Sequence, residues 1–110
     1  MKKQHPHIDK IFKAIADPTR RSIFHALVVA GAAMPITEIA ERFEMSRQGV
    51  TKHIKTLEAA RLLSINQQGR ERYCTAIPQS LKSISEWLRH YDQFWEDSLD
   101  RLDKHLGESE

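Results

Sequence analysis

One cysteine, Cys74, stands alone in 110 residues, so an internal disulfide framework is excluded. No apolar run approaches the ~20 residues that a membrane-spanning helix requires. The opening MKKQHPHIDK is basic but no apolar stretch follows it, so no signal peptide is read. The expectation is a cytoplasmic chain in a reducing compartment, with no membrane partner. Glycine and proline number four each, and no low-complexity segment, linker or internal repeat is visible. There is no glycine-rich phosphate loop and no Ser/His/Asp grouping in a recognisable context. The reading is therefore not an enzyme: no catalytic residue, no metal site and no cofactor is assigned.

What is present is enough for one small domain spanning residues 1–110, since 40% of the residues are hydrophobic. The net charge of +2 is unevenly spread. Met1 to Pro78 carries 13 Lys/Arg against 7 Asp/Glu, whereas Gln79 to Glu110 carries 4 against 8. A polyanion would be drawn to one part and repelled by the other, which points to a defined docking face. Lys10 and Lys13 are candidate phosphate contacts, while Lys2 and Lys3 read as a solvated end.

The most informative stretch is residues 36–63, ITEIAERFEMSRQGVTKHIKTLEAARLL. It reads as two short helices and a tight turn. Ile36, Ile39, Ala40 and Phe43 give the first helix its apolar spacing, with Thr37 as the expected cap. Glu44 and Met45 form the turn, and Ser46 caps a second helix from Arg47 to about Ala60. On a wheel of roughly 100° per residue, Val50, Ile54 and Leu57 share one inward arc. Arg47, Gln48, Thr51, Lys52 and Lys55 share another that holds no apolar residue. Arg and Lys suit guanine edges and phosphates, Gln suits adenine, and the Thr methyl suits a thymine methyl. A helix-turn-helix docks in this way on DNA. The competing interpretation is an ordinary amphipathic helix with a solvated face.

The following residues favour the first interpretation. Leu62–Gln67 and Arg70–Ile77 read as two strands about a Gln68-Gly69 turn, with Gly69 suited to positive φ. Arg70 and Arg72 flank the tip, placed to reach phosphates or a minor groove. The hairpin is then a wing, although charge at an edge hairpin also opposes aggregation.

The rest is helical. Ile8, Ile11, Phe12 and Ile15 give a leading helix one apolar face. Asp17-Pro18 starts a second helix, expected to bury Ile23, Phe24, Leu27 and Val28 and to end near Gly31. Gly31–Pro35 reads as a loop. The order is α-α-α-α-β-β-α: mainly α with a small β-hairpin, a winged helix-turn-helix with added leading and closing helices. Residues 8–78 form the reading core, and 79–106 a closing helix for dimerisation.

That closing helix repeats Leu81, Ile84, Leu88, Tyr91, Trp95, Leu99, Leu102 and Leu106 at steps of three and four. As a continuous rod of about 42 Å it outreaches a small domain, so its distal apolar row needs a second copy to cover it. The candidate interface is Ile8 and Phe12 with Leu88, Tyr91, Phe94, Trp95, Leu99 and Leu102. A homodimer would bring two reading heads to a near-palindromic double-stranded DNA operator. The alternative is a winged helix that docks protein through the same aromatic helix and binds no DNA.

The segments IADPTRRSIFHAL, ITEIAERFEMSRQGVTKHIKTLEAARLL and QQGRERY together resemble the ArsR family of small bacterial winged-helix regulators. The resemblance implies a homodimeric repressor that leaves its operator on a signal, here an unidentified one. It also implies Ser46, Arg47, Gln48, Thr51, Lys52 and Lys55 as recognition residues and Arg70 and Arg72 as wing contacts. Relatives that sense metal use paired cysteines in the helix that here reads ITEIAERF, which has none. A second family site would fall on Asp92, His105 and Glu108, but its first histidine position is Phe94, leaving a poor ligand set. The chain thus resembles the subgroup lacking the metal-binding cysteines. His5 and His7 read as adventitious ligands, and Cys74 as an inert strand cysteine unless Arg70 or Arg72 stabilises its thiolate. Arg61 stands where the family often has a glycine, and Glu44 at a turn position where glycine is common.

Overall fold

The computed structural model describes residues 6–97 together with 101 and 102. Among the described residues the elements follow in the order α1 (Pro6–Ala16), α2 (Pro18–Ala30), β1 (Met34–Pro35), α3 (Ile36–Arg42), α4 (Arg47–Ala59), β2 (Leu63–Gln68), β3 (Glu71–Ala76) and, after a 3₁₀ turn at Pro78–Leu81, α5 (Lys82–Arg89). The expected architecture is present, with one strand more than the sequence reading held.

That strand is β1. Met34 and Pro35 pair with Cys74 and Tyr73, giving an antiparallel sheet of order β1-β3-β2. The segment read as a loop is too short to show a period of two, so only the tertiary pairing reveals it. The hairpin register places Leu63 opposite Ala76 and Gln68 opposite Glu71, so Gly69 and Arg70 form the turn, one residue later than expected. Gly69 has φ 62°. Glycine with positive φ at the first central position is the type II′ pattern, whose twist matches the flanking strands.

The core lies where α1 to α4 meet the inner face of this sheet. Ile11, Ile23, Leu27, Ile36, Ile39, Val50, Ile54, Leu57, Leu62 and Leu63 are fully buried, as is Cys74. Each apolar side chain so removed from water contributes about 1.5–3 kcal/mol before entropy is counted. Val28 is not among them: it is exposed on α2, because the buried stripe there narrows to Ile23, Phe24 and Leu27.

Both helices of the reading unit end alike. Glu44 N–H donates to Glu41 O and Met45 N–H to Ala40 O; Arg61 N–H donates to Glu58 O and Leu62 N–H to Leu57 O. These are paired Schellman closures, and each requires a left-handed residue. Glu44 (φ 51°) and Arg61 (φ 61°) occupy those positions where glycine would be unstrained. Thr37 does not cap α3. Pro35 precedes that helix without a side-chain cap, and the Thr37 hydroxyl donates instead to the Glu71 carboxylate on β3 at 3.4 Å.

The closing segment is not one continuous rod. After α5, His90 and Tyr91 form a turn, and residues 92–97 are helical again. At the turn the His90 and Tyr91 N–H groups donate three residues back, to Trp87 O (3.2 Å) and Leu88 O (2.9 Å). Such tightening interrupts the α-helical bonding without glycine or proline, so the unbroken apolar period gave no sign of it. Leu81 and Ile84 pack against the core, as expected for the first turns. Leu99 and Leu106 lie outside the described residues.

Candidate nucleic-acid interface

The reading helix is fixed by its first turn. The Ser46 hydroxyl accepts from Gly49 N–H at 3.0 Å, satisfying one of the helix's free amides. A Cβ on Gly49 would stand 3.1 Å from that hydroxyl and 3.4 Å from the Met45 methyl, so a larger residue there would press on the capping side chain. Sequence reasoning passed over Gly49, since a glycine inside a helix signals only lowered propensity.

Val50, Ile54 and Leu57 hold the inner side of α4 with no exposed surface. On the opposite side Arg47, Gln48, Lys52 and Lys55 are exposed and Thr51 is half-exposed. Among the described residues Arg47, Gln48 and Lys52 enter no side-chain hydrogen bond or ion pair. The Thr51 hydroxyl donates to Arg47 O at 2.7 Å, which leaves its methyl as the free group. Lys55 Nζ lies 4.0 Å from Glu58, an exposed pairing worth a few tenths of a kcal/mol that a stronger anion can displace. Of the six residues expected from the sequence, Ser46, Arg47, Gln48, Lys52 and Lys55 are exposed and Thr51 is half-exposed. Arg70 and Arg72 are exposed at the end of the hairpin, on the wing.

A second group of residues, unnoticed in the sequence, anchors the reading helix. Arg20 on α2 donates through Nε to Ala14 O (2.8 Å) and through Nη2 to Lys13 O (3.1 Å), capping the carbonyl end of α1. Its Nη1 lies 3.4 Å from His53 Nδ1 on α4. A guanidinium only donates, so this contact counts as a bond whenever His53 Nδ1 carries no proton. Asp17 accepts from Arg20 N–H at 3.0 Å, and this bond, followed by the Arg20 and His53 charges, holds its carboxyl below the usual aspartate range. One side chain thus ties α1, α2 and α4 together. Only the Asp17-Pro18 cap of this cluster was visible in the sequence.

Cys74 is fully buried, and burial, with the Glu58 charge a lesser cause, pushes its thiol up to about 11. Neither Arg70 nor Arg72 contributes to this shift. Among the described residues no three His, Cys, Asp or Glu side chains are grouped to hold a metal ion, and none of the helices described is long and apolar enough to cross a membrane. His5, His105 and Glu108 lie outside the described residues.

Of the candidate interface residues, Ile8 is 9% exposed and packs within its own chain. Phe12 is half-buried against Trp87, ring centroids 5.3 Å apart and nearly perpendicular. The aromatic contacts continue from Trp87 to Tyr91 (5.3 Å) and Tyr91 to Phe94 (6.2 Å). Leu88, Tyr91, Phe94, Trp95 and Leu102 are all exposed, Phe94 and Trp95 by two-thirds. Trp87, Leu88, Tyr91, Phe94 and Trp95 border an open hollow of about 430 Å³. Leu99 lies outside the described residues.

A capped helix with a solvated polar face, a preceding helix closed by a tight turn, and a hairpin with arginines at its end define a winged helix-turn-helix DNA-binding domain. A helix-turn-helix domain model matches residues 15–65. The chain is similar to the transcriptional repressor SdpR of Bacillus subtilis (strain 168), 31% identical over 76% of this chain and 91% of that protein. It superposes on the crystal structure of the ArsR family transcriptional regulator RHA00566 with TM-score 0.75 and 32% identity, over 84% of this chain and 95% of that one. The chain belongs to the ArsR family of transcriptional regulators. Its fold is also that of Mb0332 from Mycobacterium bovis, described as a homodimeric winged helix-turn-helix DNA-binding domain, with TM-score 0.64 and 16% identity over 84% of this chain and 93% of that one.

Proposed function

We propose that two copies of this chain pair and repress transcription by occupying a near-palindromic operator, which they leave on a signal. The observation that carries this reading is the solvent-facing polar arc of α4, backed by a fully apolar inner side. In the proposed complex Arg47, Gln48, Thr51 and Lys52 meet base edges in the major groove, while Ser46 and Lys55 sit at the bordering phosphates. Arg70 and Arg72 of the wing take phosphates or the neighbouring minor groove. The exposed row from Trp87 to Trp95, with Phe12 beside it, forms the seam between copies. Ile8, buried in its own chain, has little surface left to give. The repressor role finds support in the similarity to SdpR, and pairing in the fold shared with homodimeric Mb0332.

The test is selection of duplexes from a random pool, followed by binding to the winning sequence at 50 and 200 mM salt. A symmetric motif with steep salt loss is the expected result, since phosphate contacts release counterions. Absent or salt-indifferent binding would instead favour a module that docks protein.

A further inference from the structure

The polar arc of α4 does not end at Lys55. Beside it, α1 and the second half of α4 enclose an open cleft of about 350 Å³ lined by Lys10, Lys13, Lys55, Thr56, Ala59 and Ala60. Lys55 belongs to both surfaces, so the cleft is continuous with the reading face. Its two small residues, Ala59 and Ala60, keep the floor low between cationic walls. Lys10 and Lys13 are three apart on α1, hence neighbours on one side of that helix, and both are exposed. Neither enters an ion pair among the described residues, and Glu58 is the one carboxylate recorded against the cleft's lysines.

The position of α1 is also fixed. Arg20 holds the Lys13 and Ala14 carbonyls while reaching His53 on α4, so the two walls are tied at one end by the same guanidinium. The surface offers three ammonium groups, one of which, Lys55, also belongs to the base-reading arc.

We propose that this cleft is a second DNA-contacting site, in which Lys10 and Lys13 take backbone phosphates beyond those met by α4. The inference rests on the DNA-binding reading above and extends it to α1. Its chemistry is that of a phosphate diester on the same duplex. A free polyphosphate would suit the same charges and is separated by the test.

The experiment compares the full-length chain with the double variant Lys10→Gln/Lys13→Gln on the selected operator, titrated from 50 to 300 mM salt. Each lost phosphate contact removes about 0.9 from the slope of log affinity against log salt. The double variant should therefore lose about 2 units of slope and roughly 60-fold in affinity near 0.1 M salt, with base preference unchanged. Lys82→Gln, a lysine on α5 away from the cleft, should leave the slope as it was. Phosphate-ethylation interference adds a readout independent of folding losses. Modified phosphates flanking the α4 footprint should block the wild type and lose that effect in the double variant. An unchanged slope, or the same loss from Lys82→Gln, would overturn the proposal while leaving wild-type operator binding intact as evidence for the main reading. Tripolyphosphate binding that needs Lys10 and Lys13, without any slope change on DNA, would assign the cleft to a free anion and overturn it as well. Failure of the wild type to bind any duplex would remove the underlying reading itself.

Discussion

Truncating Trp95 to alanine tests the proposed seam with little disturbance to the subunit. A tryptophan buries on the order of 200 Å² when fully covered, and Trp95 is 65% exposed in the single chain. About 130 Å² is therefore available to a partner, which at roughly 25 cal/mol per Å² is about 3 kcal/mol. A two-fold interface contains the residue twice, so the ceiling is about 6 kcal/mol, some four decades in the dimer dissociation constant. Imperfect burial and ordering costs reduce this, and a loss of two decades is a reasonable floor. Sedimentation velocity between 0.1 and 100 μM should show wild-type dimers and Trp95→Ala monomers over much of that range. Circular dichroism should match, because most of the removed surface faced water already. Operator affinity should fall with dimerisation, while weak nonspecific binding by single heads persists. A Trp95→Ala dimer constant within threefold of wild type would refute the assignment of this surface.

Lys52→Ala should weaken operator binding, flatten the salt slope by about 1 if Lys52 meets a phosphate, or relax one base preference if it meets a base edge. Unaltered binding in a fluorescence-anisotropy titration would remove Lys52 from the reading face. Glu44→Gly and Arg61→Gly should each stabilise the fold by about 1 kcal/mol through relief of left-handed strain. Thermal denaturation should register each as a rise of several degrees. Cys74 has a folded-state pKa above its unfolded value, about 11 against 9.0, so the fold favours the neutral thiol. Its contribution is whole below pH 9 and is lost as pH rises from there through about 11. Urea unfolding should show an alkaline loss of stability that is smaller in Cys74→Ala, and iodoacetamide at pH 8 should label Cys74 only after unfolding. Rapid labelling of the native chain would show the thiol to be accessible.

The reading unit was legible because three independent signals coincide within it. Ser46 marks a start, the 3.6-residue spacing of Val50, Ile54 and Leu57 marks a side, and the absence of apolar residues on the opposite arc marks another. Gly69 likewise announced a turn, although the register that sets its place depends on Leu63 meeting Ala76 across the hairpin. What escaped notice was made by contacts distant in sequence. β1 has two residues and exists only because β3 offers it an edge. Thr37 has a cap's chemistry, yet its hydroxyl finds Glu71, 34 positions on. Arg20 carries no signal in the sequence, because the end of α1 and His53 come to it only in the fold. The break at His90 and Tyr91 conserves the apolar period, so a pattern of threes and fours continues across it and misses the interruption.

These contacts give α1 a role larger than its eleven residues suggest. One side of it meets the exposed aromatic row, through the edge-to-face contact of Phe12 with Trp87. Its carbonyl end meets α2 and, through Arg20, the reading helix at His53. Four guanidinium bonds converge at that end, from Arg20 to the Lys13 and Ala14 carbonyls and from Arg21 to the Ile15 and Ala16 carbonyls. Bonds to ionised groups are worth about 1.5–3 kcal/mol each when neither partner is left in water. Partial exposure lowers that figure, but the bonds also fix direction, because a guanidinium offers its donors in one plane. α1 is thus packed at one point against the aromatic row and bonded at its other end to α2 and, through Arg20, to α4. In the proposed dimer these contacts matter because discrimination there depends on the separation of two helices and not on either helix alone.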